Sequence, residues 1–180
     1  MFVVVDAIEQ RRYNELQGGL LLFSPDSKNI VYGVKETDNW FVVIDGKKVS
    51  SYDGIVADPI FSPDGKRYAY VAQLNEKQKQ AVIIDGVKAE IKGAVDGSPV
   101  FGPDSKHIAY AINEGHSVDA GGGFVLNLTT NWRMVIDGKI SKEYDKKGKG
   151  IGRPIFDSPT SLHYLALLDE NIYLVKAVIK

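Results

Sequence analysis

The chain has no cysteine among its 180 residues. Disulfides, thiolate nucleophiles and cysteine-ligated metal centres are therefore excluded, while reducing and oxidising compartments both stay open. It has almost no net charge, a formal −1, so no bulk field draws it to nucleic acid or to an anionic membrane. It has no apolar run near the length of a membrane span. Its start, "MFVVVDAIEQRR", lacks the basic head and long apolar core of a signal peptide. The expected location is cytoplasmic for a complete chain, and periplasmic or extracellular for an excised domain. Catalytic signatures are missing too. There is no G-x-S-x-G elbow, and "GGGFVL" and "GKGIGR" match neither the Walker nor the dinucleotide pattern. The sequon at Asn127 is read as chance.

What the chain does have is repetition. "FSPDSKNIVYGV" begins at Phe23, "FSPDGKRYAYV" at Phe61, "FGPDSKHIAYAI" at Phe101 and a degraded "FDSPTSLHYLAL" at Phe156. The steps between these phenylalanines are 38, 40 and 55 residues. A second motif runs out of phase with the first. It reads "FVVVDAIEQRRY", "FVVIDGKKVSSY", "AVIIDGVKAEIK" and "RMVIDGKISKEY", with its aspartates at Asp6, Asp45, Asp85 and Asp137. A period near 40 with two motifs per unit is the signature of a repeat architecture.

The unit can be read physically. "DPIF" is a short apolar strand, and "SPDGK" is a turn in which proline presets φ. "RYAYVA" alternates with period two. "AVIIDGVKAEI" is two strands around Asp-Gly, a strong hairpin signal. Four antiparallel strands per unit and no room for a helix predict an all-β fold, a small β-propeller of four blades. The predicted division is residues 23–60, 61–100 and 101–155 for three blades, 156–180 for the inner strands of a closing blade, and 1–22 for its outer strand or strands.

The phrase "FSPDGKRYAYV" also resembles the repeat of TolB-type, WD-repeat-like propellers. That resemblance covers most of the chain and implies the same blade architecture. Propellers of this kind serve as periplasmic scaffolds and as protease-associated domains, so it implies no single function.

Closure is expected by mixing N- and C-terminal strands in the last blade, which removes open edges. A fragment of a larger ring, or two chains exchanging strands, are the alternatives. Asp6 is followed by Ala7 rather than glycine, so that turn is expected to differ from its three relatives. Asp26, Asp64 and Asp104 are expected to bond their own turn backbones. Tyr32, Tyr70 and Tyr110 recur at one strand position and read as packing between blades.

In a four-stranded blade both repeated turns emerge on one face. The connections that break the repeat emerge on the other: residues 35–39, 74–79, 113–131 and 145–152. Loops that depart from a repeat on a rigid scaffold are where binding concentrates. The candidate binding residues are therefore Trp40, His116, Asp119, Trp132, Lys146, Lys147, Lys149 and Arg153. Aromatic and basic groups on one rim suit a contact surface. The expected function is a non-catalytic binding or scaffold module for a protein or peptide, as a monomer or strand-swapped dimer. No catalytic residue, cofactor or metal is expected, and neither nucleic acid nor membrane is an expected partner. The alternative is a small hydrolase or lyase with its site at the channel mouth on the same face.

Overall fold

The computed structural model describes residues 1–74, 79–91, 93–119, 125–129, 131–144, 151–168 and 171–180. Among these there is no helix. The chain opens with a short hairpin of β1 (Val4–Val5) and β2 (Ile8–Glu9). The first sheet follows, with β3 (Glu15–Phe23), β4 (Ile30–Glu36), β5 (Asn39–Ile44) and β6 (Lys47–Tyr52). The second sheet is β7 (Gly54–Phe61), β8 (Tyr68–Gln73), β9 (Gln80–Ile84) and β10 (Val87–Glu90). The third holds β11 (Ala94–Phe101) and β12 (Ile108–Asn113). Its chain then leaves through a separate hairpin, β13 (His116–Asp119) and β14 (Val125–Thr129), and returns as β15 (Trp132–Ile136) and β16 (Lys139–Ile140). The fourth sheet is β17 (Ile155–Ser158), β18 (Ser161–Leu168) and β19 (Asn171–Val178).

Each of the first three sheets is a four-stranded antiparallel meander in chain order. The all-β, blade-by-blade architecture read from the period is thus present. Each of their first strands begins before the phenylalanine of its phrase, at Glu15, Gly54 and Ala94. The residues ahead of that phenylalanine join the sheet that follows them, because they pair with its second strand.

The expected closure by mixed terminal strands is not confirmed among the described residues. The fourth sheet has three strands, not four, and the N-terminal hairpin pairs only with itself among the described residues. The physical reason lies in what the hairpin touches. Val3 and Tyr13 are buried against Ile30, Tyr32, Val34 and Val43 of the first sheet, so it sits as an outer hairpin ahead of that sheet.

Apolar clusters bridge each neighbouring pair of sheets. Val31 and Val42 meet Tyr70, Ala72 and Ile83 between the first and second. Val71 and Val82 meet Tyr110, Ile112 and Val135 between the second and third. Ala109, Ala111 and Met134 meet Leu162, Tyr164 and Ala166 between the third and fourth. Burial of this kind contributes roughly 25 cal/mol per Å² of apolar surface. The recurring tyrosines do pack between blades. Each of Tyr13, Tyr52 and Tyr144 meets a second-strand tyrosine of the next sheet edge-on, with centroids 6.3, 5.8 and 5.9 Å from Tyr32, Tyr70 and Tyr164. Tyr52 and Tyr70 also join hydroxyls at 2.9 Å, and burial pushes the Tyr70 hydroxyl far above its usual ionisation range.

Candidate functional site

The two ends of the strands form two unlike faces. On the turn face the repeated aspartates each have one task. Asp26, Asp64 and Asp104 accept backbone N–H groups two residues on, from Lys28, Lys66 and Lys106. Ser24 and Ser62 donate their hydroxyls to Asp26 and Asp64, which holds both carboxyls below the usual carboxylate range. Asp45, Asp85 and Asp137 adopt positive φ in the hairpin turn and accept the N–H that opens the second strand, from Ile30, Tyr68 and Ile108. The residue four places after the turn proline completes the cluster. Arg67 Nε donates to Asp85 at 2.7 Å, and His107 Nδ1 lies 2.6 Å from Asp137.

These turns also bond to one another. Asn29 donates to the carbonyl of Gly65, and Arg67 to that of Ser105, so the first turn is stitched to the second and the second to the third. Asp6 and Ala7 correct one expectation. Their φ values, 50° and 63°, match the conformation at Asp45 and Gly46, so the Asp-Ala turn is of the same kind. The rest of the hairpin dictates this conformation, and alanine bears the strain.

The opposite face departs from the repeat. Residues 35–39, expected as an irregular loop, form a tight two-residue connection, because Glu36 pairs with Asn39 and Thr37 takes φ 55°. The 113–131 insertion, expected as a glycine-rich loop, carries a bulged β-hairpin, and Glu114 N–H donates to the Asn131 carbonyl at its base. Its alternating "HSVD" and "VLNLT" segments supply the pairing. His116 and Asp119 lie on β13, and their side chains are outside the described residues, as are Lys146, Lys147 and Lys149.

Trp40 and Trp132 begin the third strands of the first and third sheets, as the repeat requires. Both are half-buried. Trp40 packs on the cluster between the first and second sheets, under the Lys35 ammonium 5.6 Å from its ring. Trp132 packs on the cluster between the third and fourth and bridges to Tyr144. The two indoles lie in separate clusters and do not share a site. Arg153 is exposed and borders a pocket of about 230 Å³ with Asp96, Ser98 and Ile151.

At the base of the insertion, Trp132 meets residues absent from the sequence-based candidates. Asn113 and Trp132 are cross-strand partners. The Asn113 Oδ1 and Trp132 Nε1 atoms are buried and have no hydrogen-bond partner among the described residues. A buried acceptor and a buried donor left open on adjacent strands are costly unless something satisfies them. On the opposite face of β15, Arg133 lies 3.0 Å from Glu114 and 3.2 Å from Glu143. The signal for Arg133 was in the repeat, since it stands where Phe41 and Ala81 stand in the other copies.

No protein-family model matches the chain, and no curated protein does. Solved structures do match. The β-propeller domain of the Trilobed protease from Pyrococcus furiosus, described as having an open velcro topology, aligns over 94% of this chain and 67% of its own, with TM-score 0.50 and 14% identity. TolB from Acinetobacter baumannii aligns over 88% of this chain and 40% of its own, with TM-score 0.47 and 19% identity. A puromycin-hydrolyzing peptidase from Mycobacterium tuberculosis aligns over 84% and 27%, with TM-score 0.45 and 16% identity. The chain thus spans well under half the length of TolB. At these identities the likeness is one of fold, and the fold is a β-propeller's.

Proposed function

We propose that this chain is a non-catalytic binding module that holds a protein or peptide segment against its irregular face, at the base of the 113–131 insertion. One observation carries the reading: Asn113 Oδ1 and Trp132 Nε1, cross-strand neighbours at the base of the insertion, are buried without a hydrogen-bond partner among the described residues. An amide offers both a donor and an acceptor, so one peptide unit complements this pair. The turn face supports the reading by contrast, because its carboxylates, hydroxyls and carbonyls are used up within the stack.

The test uses excision. The Glu114–Asn131 backbone bond closes the base of the insertion, so residues 115–130 can be replaced by a short glycine turn without moving β12 or β15. Affinity capture from the native host, with cross-linking, should recover a partner with the intact chain. It should lose that partner with the excised chain and with Trp132→Phe, which removes the indole N–H. A Lys66→Glu control on the turn face should retain it. A partner that survives both the excision and Trp132→Phe would overturn the proposal.

A further inference from the structure

In an Asp-Gly pair the glycine amide nitrogen can attack the aspartate carboxyl one residue before it, because glycine offers no side chain to obstruct the approach. The chain carries six such pairs, at Asp45, Asp53, Asp64, Asp85, Asp96 and Asp137. The fold treats them unequally.

Four of the carboxyls are held. Asp45, Asp85 and Asp137 each accept the N–H that opens a second strand, at 2.8, 3.0 and 2.9 Å. Arg67 also donates to Asp85, and His107 lies against Asp137. Asp64 accepts from the Ser62 hydroxyl and the Lys66 N–H. The Gly65 N–H beside it donates to the Ser62 carbonyl, so the attacking nitrogen is tied down as well. The carboxyls of Asp53 and Asp96 have no such partner among the described residues. At Asp53 it is the backbone that is fixed. Its N–H donates to the Gln73 carbonyl, and Gly54 pairs with Gln73 in the ladder.

Asp96 is exposed and free in both respects. The register between β11 and β12 breaks after Asp96 and resumes at Val100, so Gly97, Ser98 and Pro99 have no partner on β12. Proline has no N–H to give the ladder, which suits it to such a bulge. Gly97 takes φ +71°, and nothing lies within 4 Å of the place a Cβ would occupy. The Asp96–Gly97 peptide can therefore turn until the carboxyl carbon faces the Gly97 nitrogen, with no cross-strand pair beyond it to break before Val100. A pocket of about 230 Å³ beside both residues admits water. The matching bulge of β7 holds Asp58, but Pro59 follows it and has no N–H to react.

We infer that Asp96–Gly97 is the site at which the folded chain converts spontaneously to isoaspartate. The Gly97 nitrogen bonds to Cγ of the protonated Asp96 carboxyl. The carboxyl hydroxyl leaves with the amide proton as water, and a succinimide ring remains. Water then adds to one of the two ring carbonyls. Opening at Cγ restores aspartate. Opening at the main-chain carbonyl breaks its bond to nitrogen and leaves Gly97 joined through Cγ, which is isoaspartate. One water is lost and one gained, and nothing is oxidised or reduced. The product lengthens the main chain of β11 by a methylene, two residues from Ala94, which pairs with Asn113. Conversion loosens the strand that supports the base of the insertion.

The test compares the folded chain with the same chain in urea. Both are incubated at neutral pH and body temperature, digested, and mapped by mass spectrometry with electron-transfer fragmentation, which separates isoaspartate from aspartate. In the folded chain isoaspartate at Asp96 should exceed that at each of the other five pairs by about tenfold. In urea the six should converge, since only the fold distinguishes them. Asp96→Glu, whose ring would be larger and slower to close, should remove most of the folded-state product. Isoaspartate spread evenly over the six pairs of the folded chain, or led by Asp53 or a turn aspartate, would overturn the inference. So would a folded chain that forms none at Asp96 while the chain in urea accumulates it.

Discussion

The turn face and the irregular face are made by the same strands and obey opposite rules. On the turn face the first three sheets reuse one solution: a proline-led turn, an aspartate closing it, and a second aspartate anchoring the start of the second strand. On the irregular face each connection is different. One is a two-residue turn and another a hairpin inserted between two strands. The difference teaches where a repeat is constrained. The turn residues bond across to the next blade, so a change in one turn disturbs two. The opposite connections carry fewer such obligations and can diverge.

The contrast can be broken at one point where the irregular face is rigid. Gly93 has φ +98°, and a Cβ there would lie 2.0 Å from the Asn113 carbonyl oxygen. Gly93→Ala should cost about 3 kcal/mol or more, since positive-φ strain adds to a backbone clash. A small shift in the denaturation midpoint would mean that the strand start is soft. Gly86→Val tests the turn face. With φ +80° and Tyr68 Oη 3.3 Å from its Cβ position, it should lose about 2 kcal/mol. An unchanged midpoint would deny the hairpin type. Ala7→Gly should act in the opposite direction. It relieves the positive φ that glycine bears in the sister turns, and should stabilise the chain by about 0.5–1 kcal/mol. No gain would show that the N-terminal hairpin does not couple to global unfolding.

The smallest effect is a pH dependence. The Asp64 carboxyl is held below the usual carboxylate range, first by the Ser62 hydroxyl and then by the Lys66 N–H. A lowered folded-state pKa adds stability that is present above the ordinary value and lost as pH falls through the lowered one. Native and Asp64→Asn stabilities should therefore differ slightly at neutral pH and converge below about pH 4. Parallel curves down to acid unfolding would remove the ionised carboxylate from the account.

The blades were legible because their signals are local and repeated four times. Asp45-Gly46 and Asp85-Gly86 specify hairpins by φ alone, and "RYAYVA" alternates in a way that only a strand can use. The ends were not legible. "FVVVDAIEQRRY" reads as an outer hairpin wherever it docks, and its docking partner, the Tyr32 face, is a matter of non-local packing. The tight Thr37-Asp38 turn was missed because threonine gives no sign of positive φ. At the candidate site, Trp132 was among the residues expected to bind. Its open indole N–H depends on what Asn113 faces across the sheet, which no spacing reports.

The bridging clusters described above have a thermodynamic corollary. They join each sheet to its neighbours, so the molecule behaves as a short one-dimensional chain of coupled units. Its free energy is then a sum of blade terms and nearest-neighbour terms, and melting starts from whichever end is bare. The two tryptophans are placed to report this separately: Trp40 one interface in from the N-terminal end, Trp132 at the interface with the last sheet. In a free single chain their emission transitions separate, Trp132 first.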